Sequence, residues 1–204
     1  MKPNYYIKPG KVFGNIYFVG TIPASTHIID TGCGLIMLDP GMPEYMDTVL
    51  SNMHELGFSE KDIKILLMSH GHYDHAGAVA DFLKICNAKT YVGKDDEKMV
   101  TGEENTSWSE YFGVEKMKSF APDILLNDGD TIELGNTKIL CLSTPGHTDG
   151  TMSFFFNTTD GKDTYLAGMH GGVGINTLRG KYMYCAPICT DSTKNTPMVG
   201  NIKI

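Results

Sequence analysis

The amino-acid sequence predicts an α/β fold, and three observations carry that prediction. A short β-branched and aliphatic run over 63–68 is followed by a polar turn and then by a segment of helical period. An amphipathic pattern over 42–57 precedes it, and a Gly135-Asn136 step between two strand-like runs follows it. Strand, turn and helix in succession, with hairpins beyond, is the pattern from which layers of sheet and helix are assembled.

The segment 42–57 has Pro43 near its start and Gly57 at its end, with Met46, Val49, Leu50, Met53 and Leu56 on one face. That is the signature of a helix laid on a sheet, and it places His54 on the exposed side. Ile63-Lys64-Ile65-Leu66-Leu67-Met68 reads as a buried strand. Past the turn, Val79, Phe82, Leu83 and Cys86 stand at i, i+3, i+4 and i+7, which predicts a helix over 76–86. Thr131–Leu134 and 137–142 form the arms of a hairpin about Gly135-Asn136. A second hairpin is expected from 151–156 and 164–167, across the polar stretch 157–163.

The chemistry collects at the end of the 63–68 strand. Met68-Ser69-His70-Gly71-His72-Tyr73-Asp74-His75 places four potential metal ligands within six positions, and ligands in α/β folds gather outside the carboxyl ends of strands. On an extended backbone His70 and His72, two residues apart, project to the same side and can converge on one cation. Gly71 leaves room between them. Asp74 and His75, beyond the turn, approach from another direction. A catalytic zinc typically takes three protein ligands and a water, and the candidate third imidazole is His147, in Thr144-Pro145-Gly146-His147-Thr148 after the strand-like run 137–142.

Together these segments resemble the metallo-β-lactamase superfamily, whose signature is His-x-His-x-Asp-His followed later by a lone His in a Thr-Pro-Gly-His-Thr loop. The resemblance extends to 27–41, similar to the family's opening hairpin and Asp-bearing turn, and spans roughly residues 15 to 185. It implies a four-layer αβ/βα sandwich in two halves, about 1–125 and 126–204, making one domain over 1–204. It also implies that His70, His72 and His147 hold a first zinc and that Asp74 and His75 hold a second. Asp39 reads as bracing the loops beneath the metals and not as binding one.

Two departures shape the expectation. Many family members carry a bridging Asp in a Gly-Asp step after a later strand, and here Gly168 is followed by Met169. With the Gly-rich run that follows, this is closer to subclass B3 β-lactamases than to thioesterases. The family's last histidine ligand has no counterpart after His170. An altered or shortened C-terminus is therefore expected, with the first zinc site complete and the second left with Asp74 and His75 unless His170 or a partner's residue completes it.

Composition sets the remaining bounds. With 204 residues, 41% of them hydrophobic, the chain is long enough for one domain with a sizeable core. Its net charge of −7, without Lys/Arg runs, disfavours nucleic acid as a partner. No apolar run is long enough for a bilayer, and the first residues lack a signal-peptide core, so a cytoplasmic protein acting on a small molecule is expected, its oligomeric state left open. The five cysteines form no zinc-ribbon spacing; Cys86 and Cys141 read as core residues. Lys94-Asp95-Asp96-Glu97-Lys98 reads as a solvated helix start without function. His27 and His170 read as structural, and Trp108 and Tyr111 either line a substrate entrance or pack in the core.

The ligand set implies metal-assisted hydrolysis. Zinc held by neutral imidazoles lowers the pKa of its water to about 7, so a metal-bound hydroxide attacks a carbonyl carbon while Asp74 orients the nucleophile and returns its proton to the leaving group. A β-lactam amide, a lactone or a thioester would each suit such a centre. The alternatives are an inactive one-metal binding remnant and an iron-dependent oxidoreductase of the same superfamily.

Overall fold

The computed structural model of the chain describes residues 5–172. Among them run eleven strands: β1 (Gly10–Phe13), β2 (Ile16–Phe18), β3 (His27–Asp30), β4 (Leu35–Leu38), β5 (Ile63–Leu67), β6 (Lys89–Gly93), β7 (Ile124–Leu126), β8 (Thr131–Leu134), β9 (Thr137–Ser143), β10 (Met152–Thr159) and β11 (Thr164–Met169). The first seven form one sheet in chain order, antiparallel through β4 and parallel from β4 to β7. The last four form an antiparallel sheet in the order β11-β10-β9-β8. Helices α1 (Met46–Glu55), α2 (Tyr73–Ala76), α3 (Val79–Phe82) and α4 (Glu97–Thr101) fill the crossovers of the parallel half.

Alternation along the central strands sorts the core into two layers. Ile36 and Leu38 of β4, with Ile65 and Leu67 of β5, face Ile139, Cys141, Phe154 and Phe156 of the smaller sheet. Met37, Leu66 and Met68 point the other way, onto Val49 and Met53 of α1 and Val79 and Phe82 of α3. Helices, large sheet and small sheet are thus stacked as three layers of the expected sandwich. Nothing among residues 5–172 covers the outer face of the small sheet, where Leu166 is 70% exposed. The expected C-terminal alteration lies outside the described residues.

Several elements differ from their sequence reading. The helix expected over 76–86 is broken: α2 ends at Ala76 and α3 begins at Val79, because the Ala78 N–H turns away to donate to the Gly41 carbonyl at 2.8 Å. The periodic side chains keep their burial regardless, since Val79, Phe82 and Cys86 all face the core. In the 42–57 segment a 3₁₀ turn over Pro43–Tyr45 precedes the α-helix proper, and Gly57 closes it at φ 83°. Its buried face also carries Asn52, whose amide donates to the Val19 and Gly20 carbonyls. β10 runs on through Thr159, so the second hairpin turns over 160–163 and not over the whole of 157–163. The structure adds a β1–β2 hairpin turning at Gly14-Asn15, where Gly14 takes the φ of 54° that such a turn needs.

Candidate metal centre

The parallel pairing of β4, β5 and β6 brings the loops after those strands to one edge, and the site is built there. The β4 loop supplies Asp39, held at φ 53°, a left-handed conformation that Asp tolerates better than most residues. Its carboxylate accepts the Ser69 backbone N–H at Oδ1 and the Ser69 hydroxyl at Oδ2, each at 2.7 Å. The His75 Nδ1 meets the same Oδ2 at 2.8 Å. Asp39 thus braces the loop that carries the histidines, as expected.

The β5 loop carries His70 and His72, both fully buried, and α2 presents Asp74 and His75. His147 arrives from the loop between β9 and β10, its Nε2 3.1 Å from the His72 Nδ1. The three rings pack edge to face, with centroids 4.5 to 4.8 Å apart. Two groups of donor atoms lie within 4.8 Å of one another: His70, His72 and His147, and His70, Asp74 and His75. All five sequence candidates therefore meet, and His70 belongs to both groups. His170 is exposed and joins neither. His27 is packed against Phe18 in the β2–β3 pair, and burial lowers its pKa.

Hydrogen bonding argues for which nitrogen His70 presents. The Ser69 hydroxyl donates to Asp39, so its oxygen is left to accept from the His70 Nδ1, 3.0 Å away. That arrangement protonates Nδ1 and leaves a lone pair on Nε2. The His70 Nε2 is buried and has no hydrogen-bond partner among the described residues, and the same holds for Asp74 Oδ1. Buried lone pairs without donors are costly, and a cation is the partner this donor set fits. Burial and the neighbouring imidazoles hold the His70 pKa well below the usual histidine value. Burial and the nearby His147 and His75 rings act likewise on His72. Neutral imidazole is the form that ligates. For His75 burial works in the same direction, but the Asp39 charge and hydrogen bond, with Asp74, outweigh it and raise the pKa.

Met169 ends β11 opposite Phe154, and its side chain packs against the core between the sheets. Trp108 stands beside the site, its ring 6.0 Å from that of His72 and stacked on Tyr111 at 4.6 Å, with Tyr111 60% exposed.

One sequence reading is corrected outright. The 94–98 stretch is not a uniformly solvated helix start, because Asp96 is 1% exposed. It accepts the Gly71 N–H at 2.7 Å, the Thr148 hydroxyl at 2.8 Å and the Gly150 N–H at 2.9 Å. Burial raises its pKa against the pull of these donors. Its neighbours in sequence are charged on both sides, and no local pattern separates it from them.

A two-sheet sandwich with imidazoles and a carboxylate converging at the strand ends defines a class of α/β proteins whose site could hold a metal ion. The description "Metallo-beta-lactamase superfamily" matches residues 9–160, and the chain belongs to that superfamily. Among curated relatives, the chain is 30% identical over 122 residues to the probable polyketide biosynthesis zinc-dependent hydrolase PksB of Bacillus subtilis, a match covering 60% of this chain and 45% of the relative. Among solved structures it is similar to the metallo-beta-lactamase GOB-18 from Elizabethkingia meningoseptica, with 36% identity and a TM-score of 0.76, covering 83% of this chain and 64% of that one. It is also similar to BJP-1, a subclass B3 metallo-beta-lactamase of Bradyrhizobium japonicum, with 30% identity and a TM-score of 0.78, covering 85% and 66%. The chain thus spans under half of PksB and about two thirds of these two structures. No helix among the described residues is long and apolar enough to cross a membrane.

Proposed function

We propose that the chain carries the catalytic centre of a zinc-dependent hydrolase that cleaves a small carbonyl substrate, a β-lactam amide, a lactone or a thioester, in the manner of subclass B3 β-lactamases. The observation that carries the reading is the convergence of His70, His72 and His147, with the His70 Nε2 buried and without a hydrogen-bond partner among the described residues. In this reading His70, His72 and His147 hold the zinc. Zinc bound by neutral imidazoles supplies Lewis acidity and a water acidic enough to act near neutral pH.

The chain's own residues do the rest. Asp74 accepts a proton from the nucleophilic water at Oδ1, the buried oxygen without a partner among the described residues, and returns it to the leaving group. Asp39 and Ser69 hold His70 and His75 in the tautomer that offers Nε2 inward. The only nitrogen of His70 with a free lone pair is Nε2, so His70 serves one ion at a time. Asp74 and His75 are then the remaining donors for a second ion among the described residues, and we propose one firmly held zinc per chain.

The test sets a chromogenic cephalosporin, a lactone and a thioester side by side, with metal content measured on the same preparation. Zinc-dependent turnover of one of the three, abolished by chelation, is expected, with zinc affinity much weakened in His147→Ala. Unchanged zinc affinity in that variant would overturn the three-histidine site. Bound iron with oxygen uptake would replace the hydrolase by an oxidoreductase, and bound zinc without turnover would leave a binding remnant.

A further inference from the structure

Asp96 sits where the two histidine-bearing loops meet, yet touches no imidazole. It closes the 3₁₀ turn Lys94–Asp96 after β6, the strand lying parallel to β5. Its Oδ2 takes the N–H of Gly71, the residue between His70 and His72, and the hydroxyl of Thr148, the residue after His147. Its Oδ1 takes the N–H of Gly150. The Thr148 hydroxyl, having donated to Asp96, accepts from the Thr151 hydroxyl at 2.8 Å, and Thr151 in turn accepts the Thr148 N–H at 2.9 Å. Each donor of the clamp is thereby given one direction.

The packing is as close as the hydrogen bonding. A Cβ on Gly150 would run into the Asp96 backbone nitrogen and lie 2.6 Å from its Cγ, and one on Gly71 would lie 2.8 Å from the Met99 sulfur. Both loops are glycine at the places where they close on Asp96. Burying a carboxylate this completely is costly unless its acceptors are filled, and the donors that fill these come from the two loops that must come together for the imidazoles to converge.

We propose that Asp96 is a positioning residue for the metal centre: its carboxylate sets the spacing of the His70–His72 turn from the His147 loop, and metal affinity depends on it at a distance. The proposal rests on the reading of His70, His72 and His147 as zinc ligands. In Asp96→Asn the amide NH₂ must face at least one of the three donors, which opens the clamp without changing its volume.

The experiment measures zinc dissociation constants of the full chain by competition with a chromophoric chelator, and visible spectra of the cobalt(II)-loaded protein, well below the melting temperature. Asp96→Asn is expected to weaken zinc roughly 10- to 100-fold and to alter the cobalt bands. Thr148→Val, which removes one leg of the clamp, is expected to give a smaller loss in the same direction. Ile28→Ala, a core truncation in β3, lowers stability but should leave both readouts unchanged.

Wild-type affinity and spectrum in Asp96→Asn would overturn the proposal and leave the histidine site standing. An equal loss in Ile28→Ala would overturn it too, by showing a general effect of stability. If Asp96→Asn does not fold, unchanged affinity in Thr148→Val overturns it. A wild-type chain that binds neither metal would bring down the ligand reading and this proposal together.

Discussion

The His75 Nδ1 and the Asp39 Oδ2 lie 2.8 Å apart, joining the loop after β4 to helix α2 across 36 residues of chain. The same carboxylate holds both donors of Ser69, so one side chain organises the backbone turn and the ring orientations of the site. Replacing it removes an acceptor from three buried or partly buried donors. Asp39→Asn, which keeps the shape and the tolerance for φ 53°, is expected to lower the unfolding free energy by about 1–3 kcal/mol. Urea denaturation of the metal-free protein measures this, and an unchanged midpoint would show that the Asp39 network contributes nothing net.

Zinc should stabilise the folded chain by mass action. At a free concentration one hundred times its dissociation constant the gain is about 2.7 kcal/mol, seen as a rise in melting temperature that chelator reverses. His147→Ala should lose most of that rise at the same zinc concentration. A rise of equal size in the variant would place the binding elsewhere.

Phe154 is 1% exposed and lies between the two sheets beside Ile139, Cys141 and Leu67. Phe154→Ala leaves a cavity in the layer that joins the halves, and about 3–5 kcal/mol of stability is expected to be lost. Thermal or urea unfolding reads it directly, and a loss under 1 kcal/mol would mean that the sheets close over the gap.

Asp81, on α3, pairs with Lys84 and Lys118, each at 2.7 Å. The hydrogen bond from Lys118 and then that from Lys84 lower its carboxyl pKa below the usual aspartate value. A carboxylate whose pKa is lower folded than unfolded contributes stability above the unfolded value of about 4, and loses it as pH falls through the folded value. Asp81→Asn is therefore expected to be less stable than wild type at pH 7, by roughly 0.5–1 kcal/mol for a pair of surface ion pairs. The difference should shrink as the pH drops below about 4. Stability curves that stay parallel from neutral to acid pH would contradict the assignment.

The periodic segments were legible because their signals are local. The face carried by Met46, Val49, Leu50 and Met53 and the hairpin at Gly135-Asn136 depend on neighbours a few residues away, and α1 and the β8–β9 pair formed where the pattern placed them. The 76–86 helix kept its buried face and lost its continuity, since the break comes from a hydrogen bond to Gly41, far outside any sequence window.

The site divides along the same line. Residue types and short spacings in His70-Gly71-His72-Tyr73-Asp74-His75 already implied a metal centre, although the turn that carries them is held by Asp39, 30 residues before Ser69. The approach of His147 to His72 spans 75 residues, and that of Asp96 to Thr148 spans 52. Those contacts follow from the pairing of β6 with β5 and from the hydrogen bonds that tie the β9–β10 connection to Asp96 and Ser69. A charged stretch such as Lys94-Asp95-Asp96-Glu97-Lys98 has the same local pattern whether its middle carboxylate meets water or three buried donors, and only the packing of distant loops around Asp96 distinguishes the two.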